Sequence, residues 1–295
     1  MKEAIFKGCA TALITPFTHD TVDYEALKRL IDWQLNAGIN ALVVCGTTGE
    51  AATMSYTEKM RTIETTVRHV NGRVPVIAGT GANSTETAIA LSLDAQRLGV
   101  DALLVVTPYY NKTTQRGLIR HYKMIADQVS KPIILYNVPS RTGISCTPET
   151  YATLSSHPNI IGVKEASGNF SLLAHTRYLC GDDFYIWSGN DDQVVPMMSL
   201  GAKGVISVVC NIMPELMVDM SHACLKGEFG RAGKLQIEYM DFIDSLFIEV
   251  NPIPIKCAMN LVGLEAGPLR LPLCEMSPKN MEVMKTAMKR VGLLK

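Results

Sequence analysis

The amino-acid sequence predicts an α/β fold, a (β/α)₈ TIM barrel followed by a C-terminal helical extension. Short apolar segments alternate with amphipathic ones along most of the chain. Successive apolar segments lie roughly 25 to 30 residues apart, which suits a strand plus a crossover helix. Most of them are apolar throughout, as is typical of parallel strands that are buried on both faces.

Eight apolar segments are the predicted strands. In chain order they are Cys9–Ile14, Ala41–Cys45, Pro75–Ala78, Ala102–Val106, Pro132–Tyr136, Ile160–Lys164, Phe184–Trp187 and Gly204–Val208. The amphipathic segments between them, such as Asp23–Asn36 and Thr57–Val70, are predicted helices. Eight such units predict a closed barrel, whose active site lies at the carboxyl ends of the strands.

A weak internal repeat indicates where helices return to strands. Gly38–Val44 resembles Gly99–Val105, and Gly201–Ile206 is a looser copy. Each segment begins with a glycine at a predicted helix end, because glycine adopts the positive φ that turns the chain back into a strand.

Residues 1–227 are predicted to form the barrel, with Pro214–Lys226 as its eighth helix. Residues 228–295 are too few for an obvious second catalytic domain and are predicted to form a helical extension packed on the barrel. Its predicted helices are Ala232–Ile248, Ile255–Val262 and Pro278–Val291, with breaks near Pro252, Pro254 and Pro268.

Composition excludes several classes of protein. Hydrophobic residues make up 47% and charged residues 19% of 295 residues, and 28 basic side chains balance 28 acidic ones. This balance gives no support to a nucleic-acid partner. No apolar run reaches the roughly 18 residues of a membrane span. The eight cysteines are scattered without a C-x-x-C pair, which favours free cysteines over a disulfide or metal framework. Free cysteines are typical of a reducing compartment, so the sequence predicts a cytoplasmic protein.

Lys164 is the candidate for catalysis because it closes the apolar segment Ile160–Lys164. A desolvated lysine loses part of its preference for the charged form, and its amine can attack carbonyls. The alternative is a lysine that reaches solvent along its apolar stem. The other strand ends carry hydroxyls, phenols and glycines, which favours a catalytic lysine that forms a Schiff base with a ketone.

Proton transfer would need further groups near this amine. Tyr136 ends the neighbouring predicted strand and is a candidate acid/base, and Thr47 and Tyr110 are candidate relays to bulk water. The alternative for each tyrosine is a packing residue at the barrel rim with a satisfied hydroxyl.

Two segments could bind carboxylates. Gly46–Gly49 offers backbone N–H groups and hydroxyls near a helix start, although it lacks the P-loop pattern. Arg141 could hold a second carboxylate in a two-point fork. The alternatives are a simple turn with a helix cap and a surface arginine.

Together these segments resemble dihydrodipicolinate synthases. The resemblance rests on Gly46–Glu50, Tyr136–Gly143 and Gly162–Gly168, and it continues through Pro108–Lys112 and Gly204–Val208. It therefore spans essentially the whole chain, and the order and spacing of the motifs are specific.

The resemblance implies an enzyme of lysine and diaminopimelate biosynthesis with a TIM barrel fold. It would condense pyruvate, held as an imine on Lys164, with L-aspartate 4-semialdehyde to give 4-hydroxy-tetrahydrodipicolinate. No other cofactor and no metal would be needed. Family members are usually homotetramers, arranged as dimers of dimers, with no nucleic-acid or membrane partner.

The resemblance also implies a role for each site residue. Tyr136 would donate and accept protons, and Thr47 and Tyr110 would complete the relay, with Tyr110 reaching a neighbouring subunit. Pyruvate would be held by Thr48, the backbone of Ile206 and the Gly189 carbonyl. Arg141 would bind the carboxylate of the semialdehyde.

Three other functions remain open. One is a related Schiff-base lyase or aldolase that acts on a 2-keto sugar acid; the Thr47–Thr48 pair and Arg141 favour the synthase over it. Another is a catalytically silent barrel used as a binding protein. A pyridoxal-phosphate enzyme is a remote third.

The cleft at which lysine inhibits related synthases departs from the family pattern. Asn83 and Tyr109 match, but Tyr56, Lys59 and Thr87 stand where histidines and a glutamate are typical. A cleft with Lys59 and without that glutamate should hold a lysine ammonium poorly, so the sequence predicts weak or absent feedback inhibition.

Overall fold

A computed structural model describes residues 2–295 of the chain and contains a closed barrel of eight parallel strands. The strands are β1 (Gly8–Ala12), β2 (Ala41–Val44), β3 (Val76–Gly79), β4 (Ala102–Val106), β5 (Ile133–Asn137), β6 (Ile160–Glu165), β7 (Tyr185–Ser188) and β8 (Gly204–Ser207). Each strand pairs with the next in the chain, and β8 pairs with β1. The predicted TIM barrel is therefore confirmed; β4 has the predicted bounds, and the ends of the other strands differ from the prediction by at most two residues.

Within residues 2–295, thirteen α-helices accompany the strands. Those up to the last barrel helix are α1 (Tyr24–Asn36), α2 (Tyr56–Val70), α3 (Thr85–Arg97), α4 (Gln115–Ala126), α5 (Pro139–Thr142), α6 (Pro148–Ser155), α7 (Phe170–Cys180), α8 (Val194–Ser199) and α9 (Pro214–Leu225). Those of the C-terminal segment are α10 (Phe229–Glu238), α11 (Met240–Ser245), α12 (Ile253–Leu261) and α13 (Pro278–Arg290). Within residues 2–295, every helix is too short or too polar to span a membrane.

Local sequence explains where several helices begin and end. Ser55 and Glu58 form a capping box at the start of α2, which pairs backbone N–H groups that the helix leaves free. Gly38, Gly99 and Gly201 all adopt positive φ. The prediction that these glycines adopt a positive φ where the chain turns from a helix into a strand is therefore confirmed.

Two predictions in the C-terminal segment are wrong. The single helix predicted over Ala232–Ile248 is divided into α10 and α11 at Tyr239. Pro254 does not break a helix but lies in the first turn of α12. This position tolerates proline because the first helical N–H groups have no partner within the helix.

The core has two layers. The larger lies between the strands and the surrounding helices, and the smaller lies inside the barrel. Phe6 packs within the smaller layer, and its ring stacks on that of Trp187 with centroids 5.2 Å apart. The interior of the barrel is thus filled with side chains, which leaves its carboxyl-end mouth as the place for a ligand.

A buried ion pair joins the C-terminal segment to the barrel. Lys256 Nζ on α12 lies 2.8 Å from Glu50 Oε1, and both side chains are almost fully buried. The ammonium also donates to the carbonyls of Thr15 and Pro268, and the Arg270 N–H donates to Glu50 Oε2. Burial lowers the pKa of Lys256 and the Glu50 charge opposes that shift. The pair fixes the end of the Gly46–Glu50 loop.

Candidate active site

Lys164 and Tyr136 meet at the carboxyl ends of β6 and β5. They are direct partners in the sheet register, and Lys164 Nζ lies 4.5 Å from the centroid of the Tyr136 ring. Their exposed fractions are only 6% and 8%. The interpretation of Lys164 as a solvent-exposed lysine is therefore wrong, and its amine lies against an aromatic face beside a phenol.

Gly189 gives the Lys164 side chain its space. A Cβ at position 189 would lie 2.7 Å from the Ala166 Cβ and 3.1 Å from the Lys164 Cε. Any side chain there would displace the lysine stem. Ile206 is fully buried on β8 and packs in the inner core layer with Tyr136. Of the predicted pyruvate-binding residues, Gly189 thus lies against the Lys164 side chain, and Ile206 lies in the inner core layer that contains Tyr136.

A buried carboxylate holds the end of β6 in place. Glu165 follows Lys164 and accepts hydrogen bonds from Asn137 Nδ2 at 3.0 Å, from the Tyr151 hydroxyl at 2.9 Å and from the Ser167 N–H at 2.8 Å. Burial raises the pKa of Glu165, and these hydrogen bonds oppose that shift. Because its oxygens are committed to these donors, Glu165 has a structural role beside Lys164.

Asp191 is an acidic group near the site that sequence reasoning missed as a site residue. It is buried, and its Oδ2 accepts from the N–H groups of Val208 and Val209. Burial raises the pKa of Asp191, while hydrogen bonds from Ser207, Val208 and Val209 and the charge of Lys164 oppose that shift. The position of Asp191 just after β7, at the carboxyl end of a strand, was the feature of the sequence that could have identified it.

The two predicted carboxylate-binding residues meet at a third residue, Asn251. Thr48 is buried, and its Oγ1 accepts from Asn251 Nδ2 at 2.9 Å. Arg141 Nη2 donates to the main-chain oxygen of Asn251 at 3.1 Å. Sequence reasoning missed Asn251 because it is 203 residues away from Thr48, and no strand end or motif marked it.

The two relay candidates lie on the surface of the protomer. Thr47 is exposed, and Tyr110 is 92% exposed with a φ of 70°. Positive φ is uncommon for a side chain as large as tyrosine and indicates a conformation that the surrounding loop imposes. The relay through Thr47 and Tyr110 stays a prediction.

The residues of the predicted regulatory cleft also lie at the surface. The Tyr56 hydroxyl donates to Asp94 Oδ2 at 2.7 Å, and the Asn83 carbonyl accepts from Asn111 Nδ2 at 3.0 Å. Tyr109 is partly exposed and Lys59 is half-buried.

Among residues 2–295, no group of three or more histidine, cysteine or acidic residues could hold a metal ion.

Comparison with known proteins identifies the family of the chain. The model of the dihydrodipicolinate synthetase family matches residues 5–291. A relative from Clostridium acetobutylicum, named 4-hydroxy-tetrahydrodipicolinate synthase 1, is 54% identical over 99% of this chain and 100% of its own. Dihydrodipicolinate synthase from Aquifex aeolicus matches with a TM-score of 0.96 at 44% identity, over 98% of this chain and 99% of its own.

A monomeric dihydrodipicolinate synthase variant matches equally well in shape, with a TM-score of 0.96 at 41% identity over 98% of both chains. The family model, the relatives and the solved structures all match nearly the full length. This chain belongs to the dihydrodipicolinate synthetase family.

Proposed function

We propose that this chain is a 4-hydroxy-tetrahydrodipicolinate synthase, which condenses pyruvate with L-aspartate 4-semialdehyde. The observation that carries the proposal is the buried Lys164 amine beside the Tyr136 ring at the barrel mouth. The names of the relatives, at 54% identity for one of them, support the same reaction.

The proposed reaction begins with attack of the Lys164 amine on the ketone carbon of pyruvate. A C–N bond forms, the ketone oxygen leaves as water, and the resulting imine withdraws electrons from the methyl carbon. Tyr136 supplies the proton that water formation needs and removes one from the methyl group, giving an enamine. Thr47 and a neighbouring subunit's Tyr110 would connect Tyr136 to solvent.

The enamine carbon then attacks the aldehyde, so that a C–C bond forms, and the aldehyde oxygen becomes a hydroxyl by taking the proton that Tyr136 removed from the methyl group. The amine of the second substrate displaces Lys164 from the imine carbon, which closes a ring and frees the enzyme. The whole reaction joins the two substrates with loss of one water. It needs no cofactor beyond the covalent imine.

The anionic ends of the substrates would occupy separate places. The pyruvate carboxylate would receive hydrogen bonds from Thr48 and the Ile206 backbone, close to the Gly189 carbonyl. Arg141 would bind the carboxylate of the semialdehyde, since a guanidinium fork suits two carboxylate oxygens.

Arg141→Ala is expected to separate the two half-reactions. Condensation with aspartate semialdehyde should fall by roughly 10- to 100-fold in kcat/KM, the loss of one charge-assisted contact. Formation of the pyruvate imine, measured by borohydride trapping, should change by less than about 2-fold. Arg231→Ala, which removes an exposed arginine paired with Asp219, is the matched control.

The function itself is tested by a coupled assay with pyruvate and aspartate semialdehyde. Steady turnover supports the proposal. Turnover of a 2-keto sugar acid with none of the semialdehyde would favour the related lyase. If Arg141→Ala left both condensation and imine formation unchanged, the assignment of the second substrate would be wrong.

We further propose that residues 228–295 serve as an extension of the barrel rather than as a separate catalytic domain, and that the enzyme works in the cytoplasm. The exposed Tyr110 supports a homotetramer, in which a neighbouring subunit would use this side chain. The monomeric relative makes sedimentation of this protein the relevant check on assembly.

We expect L-lysine to inhibit weakly or not at all. Lys59 would place a positive charge in the predicted cleft, and the Tyr56 hydroxyl is already committed to Asp94. A lysine titration of the initial rate should show no half-inhibition below about 1 mM, an affinity of order −4 kcal/mol. Half-inhibition at a lower concentration would contradict this expectation.

A further inference from the structure

Asn251 contacts both predicted carboxylate-binding residues through different atoms. Its side-chain Nδ2 donates to Thr48 Oγ1, and its main-chain oxygen accepts from Arg141. The residue stands just before α12, in the C-terminal segment, and only 7% of it is exposed. A residue from outside the eight strands thus lies between the places proposed for the two substrates.

The direction of the Asn251–Thr48 hydrogen bond decides what Thr48 can do. A threonine hydroxyl has one proton to donate and two lone pairs. Because Asn251 Nδ2 is a donor, the hydroxyl accepts in this bond. Its single proton is therefore directed elsewhere, and it is available to a carboxylate oxygen of the substrate.

The other end of the Asn251 carboxamide argues against a purely structural role. Within residues 2–295, Asn251 Oδ1 is buried and has no hydrogen-bond partner. A buried acceptor without a partner costs free energy, and an apolar side chain of similar shape would avoid that cost. The donor end must therefore contribute something that an apolar residue could not.

We propose that Asn251 is a positioning residue that orients the Thr48 hydroxyl for donation to the pyruvate carboxylate. Through its main-chain oxygen, the same residue also fixes Arg141, so that it sets the spacing between the two carboxylate sites. This inference rests on the proposed function. It gives the C-terminal segment a part in substrate binding.

A double-mutant cycle on the KM for pyruvate tests the inference. Thr48→Val removes the proposed hydrogen bond to the pyruvate carboxylate, and Asn251→Ala leaves the Thr48 hydroxyl that makes it unoriented. Each change should raise this KM by roughly 10-fold, the loss of one hydrogen bond to a charged group. If Asn251 acts through Thr48, the double variant should be within about 2-fold of Thr48→Val alone. The KM for the semialdehyde should change little in Asn251→Ala, because the Arg141 contact uses the main chain.

Asn251→Asp is a second variant of nearly the same size and shape. An ionised aspartate can only accept hydrogen bonds, so it should take the Thr48 proton for itself and bring a negative charge near pyruvate. Its KM for pyruvate should therefore exceed that of Asn251→Ala. Asn36→Asp, at an exposed position at the end of α1, controls for the change of residue type.

The outcomes are distinct. Multiplying effects in the double variant, or a KM for pyruvate in Asn251→Asp below that of Asn251→Ala, would overturn the inference while the proposed function stands. Absence of any borohydride-trapped pyruvate on the unmodified protein would instead remove the proposed function itself. Circular dichroism checks that each variant keeps its secondary structure before its KM is compared with that of the unmodified protein.

Discussion

Replacing Lys164 with methionine is expected to lower kcat/KM for condensation by roughly 10³-fold or more, because the proposed covalent imine can no longer form. Methionine keeps most of the apolar stem, so the end of β6 should stay packed. Initial rates in the coupled assay measure the effect. The buried position beside Tyr136 makes this the largest catalytic effect that we expect from a single substitution.

Lys226→Met is the matched control, because Lys226 lies exposed at the end of α9. It should keep its activity, and both variants should keep the thermal midpoint of the unmodified protein within a few degrees. Activity of Lys164→Met within about 10-fold of the unmodified protein would refute covalent catalysis by this amine.

The largest effect on stability is expected from Lys256→Met. Glu50 would then stay buried without its countercharge, and breaking such a pair on one side costs about 3–5 kcal/mol. The free energy of unfolding, measured by urea titration, should fall by that amount. Because Glu50 ends the Gly46–Glu50 loop, the KM for pyruvate should rise as well.

A double variant separates the lost charge pair from lost packing. Lys256→Met combined with Glu50→Gln removes both charges, and it should recover part of the stability that the single change loses. Arg290→Met breaks an exposed pair with Asp241 and should hardly move the urea midpoint. Equal loss in the single and double variants would show that the uncompensated charge is not the cause.

The barrel and the contact between Lys164 and Tyr136 could be predicted from sequence because both depend on short-range patterns. Ile160–Lys164 is apolar until its last residue, and the strand model placed that residue at the carboxyl end. Tyr136 ends the neighbouring strand for the same reason. In the parallel sheet, Tyr136 and Lys164 are direct register partners. The position of each residue along its strand was therefore enough to predict that the two side chains lie close together.

Asn251 and Lys256 could not be found in this way. Each reaches the barrel from a segment about two hundred residues beyond its partner, and local periodicity carries no information on such contacts. Tyr110 illustrates another limit. It is exposed in the protomer and has a positive φ, and its proposed role depends on a second chain.

The predicted helix boundaries in the C-terminal segment were wrong because the local sequence pattern was ambiguous. The prediction took Pro254 as a break, although proline fits the first turn of a helix as well as it ends one. The division between α10 and α11 at Tyr239 involves no proline or glycine at that position. An apolar pattern continued across it, which is why one long helix was expected.

The central claim is that Lys164 carries pyruvate, and chemical trapping tests it most directly. The unmodified protein is treated with borohydride in the presence of pyruvate, and its intact mass and peptide map are measured. We expect one reduced pyruvyl group per chain, located on Lys164 and absent from Lys164→Met. No adduct, or an adduct on another lysine that persists in Lys164→Met, would contradict the claim.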